Sequence, residues 1–277
     1  MPEQYADLHL HTTCSDGLMR PEDIGALAAQ AGIATIAITD HDTICGIDRA
    51  IAARGNSTAE VIPGVELSAV IDETEVHILG YFIDWHEATF TERMGQLRRG
   101  RLERAKKILL RLKELGVDLP LESVLEIAGE GVIGRPHIAD GLIRGGFVSS
   151  YDEAFDRYIG QGAPAYIPKQ LLHPAEAIRL ISSVGGIPVL AHPGTLKEEG
   201  FIRQLILWGL KGIEAVHPVH TQRMIDYYKT LAKTHGLLYT GGSDFHGEGR
   251  RFNSIGKQKV PSQVVRDLKS LIQHNNG

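Results

Sequence analysis

Histidines and carboxylates recur in this chain wherever an apolar run ends. The segments are Asp7-Leu8-His9-Leu10-His11 with Asp16 close behind, Thr39-Asp40-His41-Asp42, Gly64-Val65-Glu66, Val76-His77-Ile78, Ala191-His192-Pro193 and Ser243-Asp244-Phe245-His246. On an extended strand, residues two apart share a face at about 6.5 Å, so His9 and His11 can converge on one ion. Asp244 and His246 repeat that spacing. Imidazoles mixed with carboxylates suit Zn²⁺, Mn²⁺ or Fe²⁺, and the near absence of thiolate argues against a structural zinc knot. A lone histidine at a strand end is ordinarily a hydrogen-bonded structural residue. Successive strand ends carrying such groups are different, because carboxylates buried together are costly without a cation.

The elements that must position these groups follow from the apolar rhythm. Strand-forming runs such as Ile36-Ala37-Ile38, Ile187-Pro188-Val189-Leu190 and Leu237-Leu238-Tyr239-Thr240 precede several of the motifs. The polar groups are therefore expected at strand C-termini, where α/β barrels build their active sites. From residue 5 to about 85, short apolar runs alternate with amphipathic ones in βα units. A strand is expected over 5–11, a helix opened by Pro21 and closed by Gly32, a strand over 33–39, a helix over 44–54, and extended segments near 61–70 and 76–83. The rhythm breaks between about 87 and 167, where Arg98, Arg99, Arg101, Arg104, Lys106, Lys107, Arg111 and Lys113 decorate a long helix-periodic stretch. We read 87–167 as an inserted helical cap, with residues 1–86 and 168–277 forming the barrel and Gly160-Gln161-Gly162-Ala163-Pro164 a hinge back to it. The basic run is expected to face water, with its first part able to present Arg99 or Arg104 to an anionic group. After the hinge, helices are expected at 174–184, near 201–208, over 221–235 and from about 261, with strands between them.

Composition narrows the class. The chain has 277 residues, 43% of them hydrophobic, enough for a large core, and a net charge of −5 without a long basic run. An extended nucleic-acid surface is not expected, whereas a local phosphate site is compatible. The two cysteines, Cys14 and Cys45, form no disulfide framework, and free thiols suit a reducing cytoplasm. No apolar run reaches the roughly 18 residues that span a bilayer, and neither export nor membrane insertion is expected.

Taken in order, His9-Leu10-His11 with Asp16, Asp40-His41-Asp42, His192-Pro193-Gly194 and Asp244-Phe245-His246 resemble the four signature motifs of the PHP (polymerase and histidinol phosphatase) family. Glu66 in Pro63-Gly64-Val65-Glu66 and His77 in His77-Ile78-Leu79-Gly80 fit its intervening positions. The resemblance covers about 5–275. It implies an α/β fold, a distorted (β/α)7 barrel, holding two or three divalent metals. By position, His9, His11, Glu66 and Asp244 would hold a first ion, Glu66 would bridge to a second held by His77 and His192, and Asp16, His41 and His246 would hold a third. Asp16 stands where other members carry histidine, and a carboxylate there favours harder ions, so Mn²⁺ is favoured with Fe²⁺, Zn²⁺ or Mg²⁺ compatible. Asp40 and Asp42 would orient ligand imidazoles. Arg135, His137 and Lys169 resemble positions where similar phosphatases contact phosphate.

The chemistry so implied is phosphate-ester hydrolysis by a metal-bridged hydroxide with no protein nucleophile, since the chain has no Gly-x-Ser-x-Gly elbow and no Walker loop. Similarity is greatest to small bacterial members that dephosphorylate nucleoside 3′,5′-bisphosphates or trim short oligonucleotides from the 5′ end. A histidinol-phosphate phosphatase and a non-catalytic metal-binding regulatory module are the alternatives. His217 and His220 follow another apolar run and stand as possible substrate contacts.

Overall fold

In the computed structural model, which describes residues 3–72, 74–169, 172–196 and 200–275, the barrel begins with β1 (Tyr5–Leu10), α1 (Pro21–Gln30), β2 (Ile33–Ile38) and α2 (Ile47–Ala52). A long hairpin follows, β3 (Glu60–Ile71) and β4 (Thr74–Tyr81). After a helical segment come α7 (Pro174–Ser183), β5 (Ile187–Leu190), α8 (Ile202–Leu207), β6 (Gly212–Val216), α9 (Gln222–Thr234), β7 (Leu238–Gly241), β8 (Val260–Pro261) and α10 (Ser262–Asn275). That intervening segment, between β4 and β5, comprises α3 (Ala88–Glu114), α4 (Leu121–Ala128), α5 (Arg135–Arg144) and α6 (Tyr151–Ala154), the last running into a π-helical turn.

The strands form one sheet in the order β7-β6-β5-β4-β3-β2-β1-β8. β1, β2 and β3 are parallel, β4 is antiparallel to both of its neighbours, and β5, β6 and β7 are parallel again. His11 N donates to Phe245 O at 2.9 Å and Ser243 N to the Asp7 carboxylate at 2.8 Å, so the segment leaving β7 closes back on β1. The result is a distorted barrel. The reversal of β4 departs from uniform βα units and places His77 within a strand, while β3 continues five residues past Glu66. Expected helix 44–54 starts late, at Ile47, because the chain turns tightly at Gly46, where a Cβ would lie 2.8 Å from the Asp40 carboxylate.

Elsewhere local chemistry explains the elements. Pro21 occupies the first turn of α1, and Gly32, at φ +73°, takes the left-handed turn into β2. Glu87 caps α3 by accepting from Phe90 N at 2.6 Å. α3 joins two apolar clusters: Phe90 and Met94 pack into the barrel core, while Ala105, Ile108, Leu109 and Leu112 pack with α4, α5 and α6. Each of these leucines and isoleucines stabilises by about 1.5–3 kcal/mol on full burial. Arg101 falls between the clusters, facing the barrel mouth. No helix among the described residues is long and apolar enough to cross a membrane.

Candidate metal centre

β1 is buried from Ala6 to Leu10, and its register against β2 slips between Asp7 and Leu10, so Ala6 and Leu8 pack in one apolar cluster and Leu10 in another, with His9 turned to the carboxylates of Glu66, Glu214 and Asp244. His11 follows at the strand exit. Glu66, fully buried on β3, is the hub. Its Oε1 lies 2.8 Å from His77 Nδ1 and 3.0 Å from His192 Nε2. Its Oε2 lies 2.9 Å from His41 Nδ1, 3.3 Å from His11 Nε2 and 3.4 Å from His9 Nε2. Asp244, just past β7, brings Oδ1 to 3.1 Å from His11 Nε2 and 3.4 Å from His9 Nε2. Asp16 and His246 complete the row, with Oδ1 to Nε2 at 3.4 Å.

The arrangement fits cations. His9 Nε2, both nitrogens of His11, Asp16 Oδ1, His41 Nδ1 and Glu66 Oε2 are buried without a hydrogen-bond partner among the described residues. Such orphans are costly unless something binds them. Donor atoms of His11, Asp16, His41 and His246 lie within 4.8 Å of one another, as do those of His9, His11 and Asp244, and those of His41, Glu66 and His77. Every proposed ligand from the sequence is thus at the centre, and no cysteine joins those groups.

Electrostatics in the metal-free chain show how the charges are balanced. Burial opposes ionisation of Glu66, Asp16 and Asp244, yet the surrounding imidazoles hold all three well below the usual carboxylate range. Burial likewise opposes charging of His77, but Glu66 and Glu75 raise it to about 9, and Asp16 and Asp244 raise His246 to about 9. Burial, with His246 and His41 beside it, drives His11 down to about 3.

Other expectations require correction. Asp40 and Asp42 touch no imidazole: Asp40 accepts from Thr12 N, Thr12 Oγ1 and Ser15 Oγ, bracing the loop after β1, and Asp42 accepts from Ser68 N at 2.8 Å and pairs with Arg101 at 2.5 Å. The carboxylate that braces a candidate ligand is Glu214 on β6, wholly buried, with Oε1 2.9 Å from His9 Nδ1 and Oε2 accepting from His192 N at 2.7 Å. Glu75 does the same for His77 Nε2 at 3.0 Å. His217 Nε2 sits 3.2 Å from Asp244 Oδ2, whereas His220 is engaged at both nitrogens, with Ala215 O and Gly194 N.

A cationic wall stands beside the hub. Lys169 pairs with Glu75, and Arg135 Nη2 approaches the same carboxylate at 4.0 Å. Arg101 is 13% exposed, and Arg104, buried with Nη2 unpartnered, donates from Nε to Ile167 O. The basic helix is therefore not wholly solvated: Arg99 faces water as expected, but Arg101 and Arg104 turn inward. His137 is buried, and its Nδ1 accepts from Gly134 N at 3.0 Å at the start of α5, so one of its nitrogens is committed to the helix end. A cleft of about 560 Å³ opens here, lined by Glu75, His77, Arg135, Gln161, His192 and Thr195 among others.

Sequence reasoning passed over Glu214, Glu75 and Arg101. Glu214 had a signal, a single charge inside the apolar run Gly212–Val216. Arg101 had none that separates it from its basic neighbours.

Comparison with known proteins agrees with this geometry. The 5′-3′ exoribonuclease Rnm of Escherichia coli is 34% identical over 247 residues, 87% of this chain and 84% of that protein. The 3′,5′-nucleoside bisphosphate phosphatase of Chromobacterium violaceum is 32% identical over 268 residues, 95% and 94% of the two chains. Among solved structures, a candidate metal-dependent phosphoesterase from Bifidobacterium adolescentis superposes with a TM-score of 0.89 at 31% identity, covering 97% of this chain and 96% of that one. An amidohydrolase from Chromobacterium violaceum with bound sulfate and no metal gives 0.86 at 30% identity, covering 96% of each chain. The PHP domain profile matches residues 7–164, and with these relatives matched along nearly their whole length, the chain belongs to the PHP domain family.

Proposed function

We propose that this protein is a metal-dependent phosphoesterase that removes phosphate from a small nucleotide such as a nucleoside 3′,5′-bisphosphate, or cleaves nucleotides from the 5′ ends of short oligonucleotides. The observation that carries the reading is the adjacency of a buried, cation-deficient imidazole and carboxylate cluster to a wall of four cationic side chains, Arg101, Arg104, Arg135 and Lys169. The names of the relatives support the substrate class.

His9, His11, Glu66 and Asp244 would hold one cation, Glu66, His77 and His192 a second, and Asp16, His41 and His246 a third. The nitrogen and oxygen donor set favours Mn²⁺, with Fe²⁺, Zn²⁺ or Mg²⁺ compatible. When bound, such ions activate water as the nucleophile and neutralise developing charge on phosphoryl oxygens. The chain itself supplies orientation. Glu214 keeps the His9 proton on Nδ1 and so turns the Nε2 lone pair inward. Arg135 and Lys169 bind phosphate oxygens in exchange for part of their contact with Glu75, Arg135 as a planar fork and Lys169 as a point charge. Residues 87–167 act as the cap that brings Arg101, Arg104 and Arg135 over the barrel mouth. The free thiols of Cys14 and Cys45 suit a reducing cytoplasm.

Phosphate release by Mn²⁺-reconstituted protein from adenosine 3′,5′-bisphosphate, AMP, histidinol phosphate and a 5′-phosphorylated oligonucleotide tests the assignment. Turnover of the bisphosphate or oligonucleotide, lost in Asp244→Ala and slowed through a roughly tenfold higher KM in Arg135→Ala, is the expected result. Preference for histidinol phosphate overturns the substrate class, and silence across the panel overturns catalysis.

A further inference from the structure

The cationic cleft beside His77 and His192 is not the sole approach to the metal centre. At the far end of the ligand row, a second cavity of about 160 Å³ is lined by Asp16 and His246 together with Pro136, Tyr151, Arg250, Arg251 and Phe252. It shares Tyr151, Arg250 and Arg251 with a larger groove of about 790 Å³, whose remaining lining residues are Asp152, Phe155 and Gly249. This groove runs between α6 and the loop after β7, and the proposed hydrolysis needs none of its residues.

The composition of that groove and of the smaller cavity joined to it is specific. Tyr151 and Phe155 form a ring pair with centroids 5.0 Å apart, and Phe252 stands edge-on to His217 at 5.4 Å. The Arg250 guanidinium lies 5.1 Å over the Tyr151 ring and is anchored by Asp140 at 3.0 and 2.5 Å, while its Nε is buried with no partner. Arg251 is exposed, lies 5.2 Å over the Phe252 ring, and has no acidic partner among the described residues. Half-buried aromatic rings interleaved with guanidinium groups present stacking faces and a phosphate-binding charge together, the combination that holds single-stranded nucleic acid without reading its sequence. Exposed Asp152 supplies an acceptor for a sugar hydroxyl or an exocyclic amine.

We propose that this groove seats the 3′-ward nucleotides of a single-stranded oligonucleotide whose 5′-terminal phosphate is held by Arg135 and Lys169, so that the chain crosses the metal centre from one mouth to the other. The inference rests on the phosphoesterase reading above and extends it: a mononucleotide fills the first cleft alone, whereas a longer strand uses both. Recognition of the strand is confined to the cleft and the groove, in keeping with a net charge of −5 over the whole chain.

The test compares Arg251→Ala and Tyr151→Leu with the parent holoenzyme on two substrates, adenosine 3′,5′-bisphosphate and a 5′-phosphorylated decamer, offered as RNA and as DNA. A 3′-fluorescein decamer with hydrolysis-resistant phosphorothioate linkages reports binding by anisotropy. In each variant the decamer KM and Kd are expected to rise about tenfold, the loss of one stacked base or one phosphate contact, while the bisphosphate KM moves less than about twofold. Arg251→Ala should also flatten the dependence of Kd on salt by about one unit of log–log slope. Losses on both nucleic acids assign the groove to bases and phosphates, and losses on RNA alone assign it to the sugar hydroxyl; either supports it. Equal losses on bisphosphate and decamer, or none on the decamer, overturn it. Should the parent protein hydrolyse neither substrate, the phosphoesterase reading fails, and the anisotropy comparison still decides the groove.

Discussion

Glu214→Gln isolates the contribution of the carboxylate that braces His9 from behind. The carboxylate accepts from His9 Nδ1 at 2.9 Å and from His192 N at 2.7 Å, and it is wholly buried. Glutamine preserves shape and offers one acceptor and one donor. If its oxygen serves His192 N, its amide must donate to His9 Nδ1, which moves the His9 proton to Nε2 and removes the lone pair aimed at Glu66 and Asp244. If its oxygen serves His9, the amide meets the His192 N–H donor to donor, leaving buried groups unpaired at about 1–3 kcal/mol. Loss of a carboxylate that orients a ligand histidine ordinarily costs ten- to hundredfold in metal affinity, about 1.4–2.7 kcal/mol. We expect the Kd for Mn²⁺, read by competition with a chromophoric chelator, to rise in that range. Turnover should fall at limiting metal and recover in part with excess metal. Parent-like affinity and turnover at limiting metal in a folded Glu214→Gln protein would refute the reasoning.

Metal loading should release protons, because His77 and His246, each raised to about 9 in the metal-free chain, carry protons at neutral pH that ligation displaces. Calorimetry in buffers of different ionisation enthalpy should show that release, with Mn²⁺ affinity rising between about pH 6.5 and 9; pH-independent affinity would count against it. Stability of the metal-free protein should run the other way over that interval. A raised histidine pKa contributes stability that is complete below the unfolded value near 6.5 and lost as pH rises through about 9, while the depressed carboxylates contribute above their unfolded values near 4 and lose this as pH falls. His11, lowered to about 3, adds the opposite dependence, a loss of stability as pH falls below about 6.5, so a thermal midpoint highest near pH 6.5 without metal is the expected profile. Arg101→Met should destabilise by about 3–5 kcal/mol, because it strands the buried Asp42 carboxylate, and Arg101→Met with Asp42→Asn should recover much of the loss. Denaturant midpoints read both variants, and a loss below about 0.5 kcal/mol for the single change would show that the pair does not secure α3.

Much of the centre was legible because its chemistry interrupts apolar strands. A histidine or carboxylate just past the end of Ile33–Ile38 or Ile187–Leu190 has no packing reason to be there, so His41 and His192 stand out as candidates. Glu214 obeys the same rule, but its partner His9 lies 205 residues away and nothing local links them. The reversal of β4 was hidden for a related reason: alternation reports which residues share a face, and it is blind to strand direction. α3 marks a further limit. With basic residues all around the helix, the pattern does not say which of them turn inward, and only docking against Asp42 and Ile167 selects Arg101 and Arg104.

The backbone at the strand exits shows why these side chains are retained there. Asp42, His192 and Asp244 sit at φ 52°, 25° and 51°, left-handed values that glycine adopts without cost. Holding such a conformation costs about 1–3 kcal/mol per residue, so each position needs a side chain that glycine lacks. The same hydrogen bonds that hold the conformation also arrange the centre: His192 N is fixed by Glu214, and Asp42 N donates to Glu66 O at 3.0 Å while its carboxylate grips Arg101. Asp42 therefore fastens α3 to the backbone of the hub carboxylate itself. In the metal-free chain, protons on His77 and His246 offset the charge of the buried acids, and cations would take over that task when they displace the protons. Metal occupancy and the seating of Arg101 beside the cleft are then properties of one connected structure, because the backbone of Glu66 anchors Asp42 and its side chain is the hub of the metal centre.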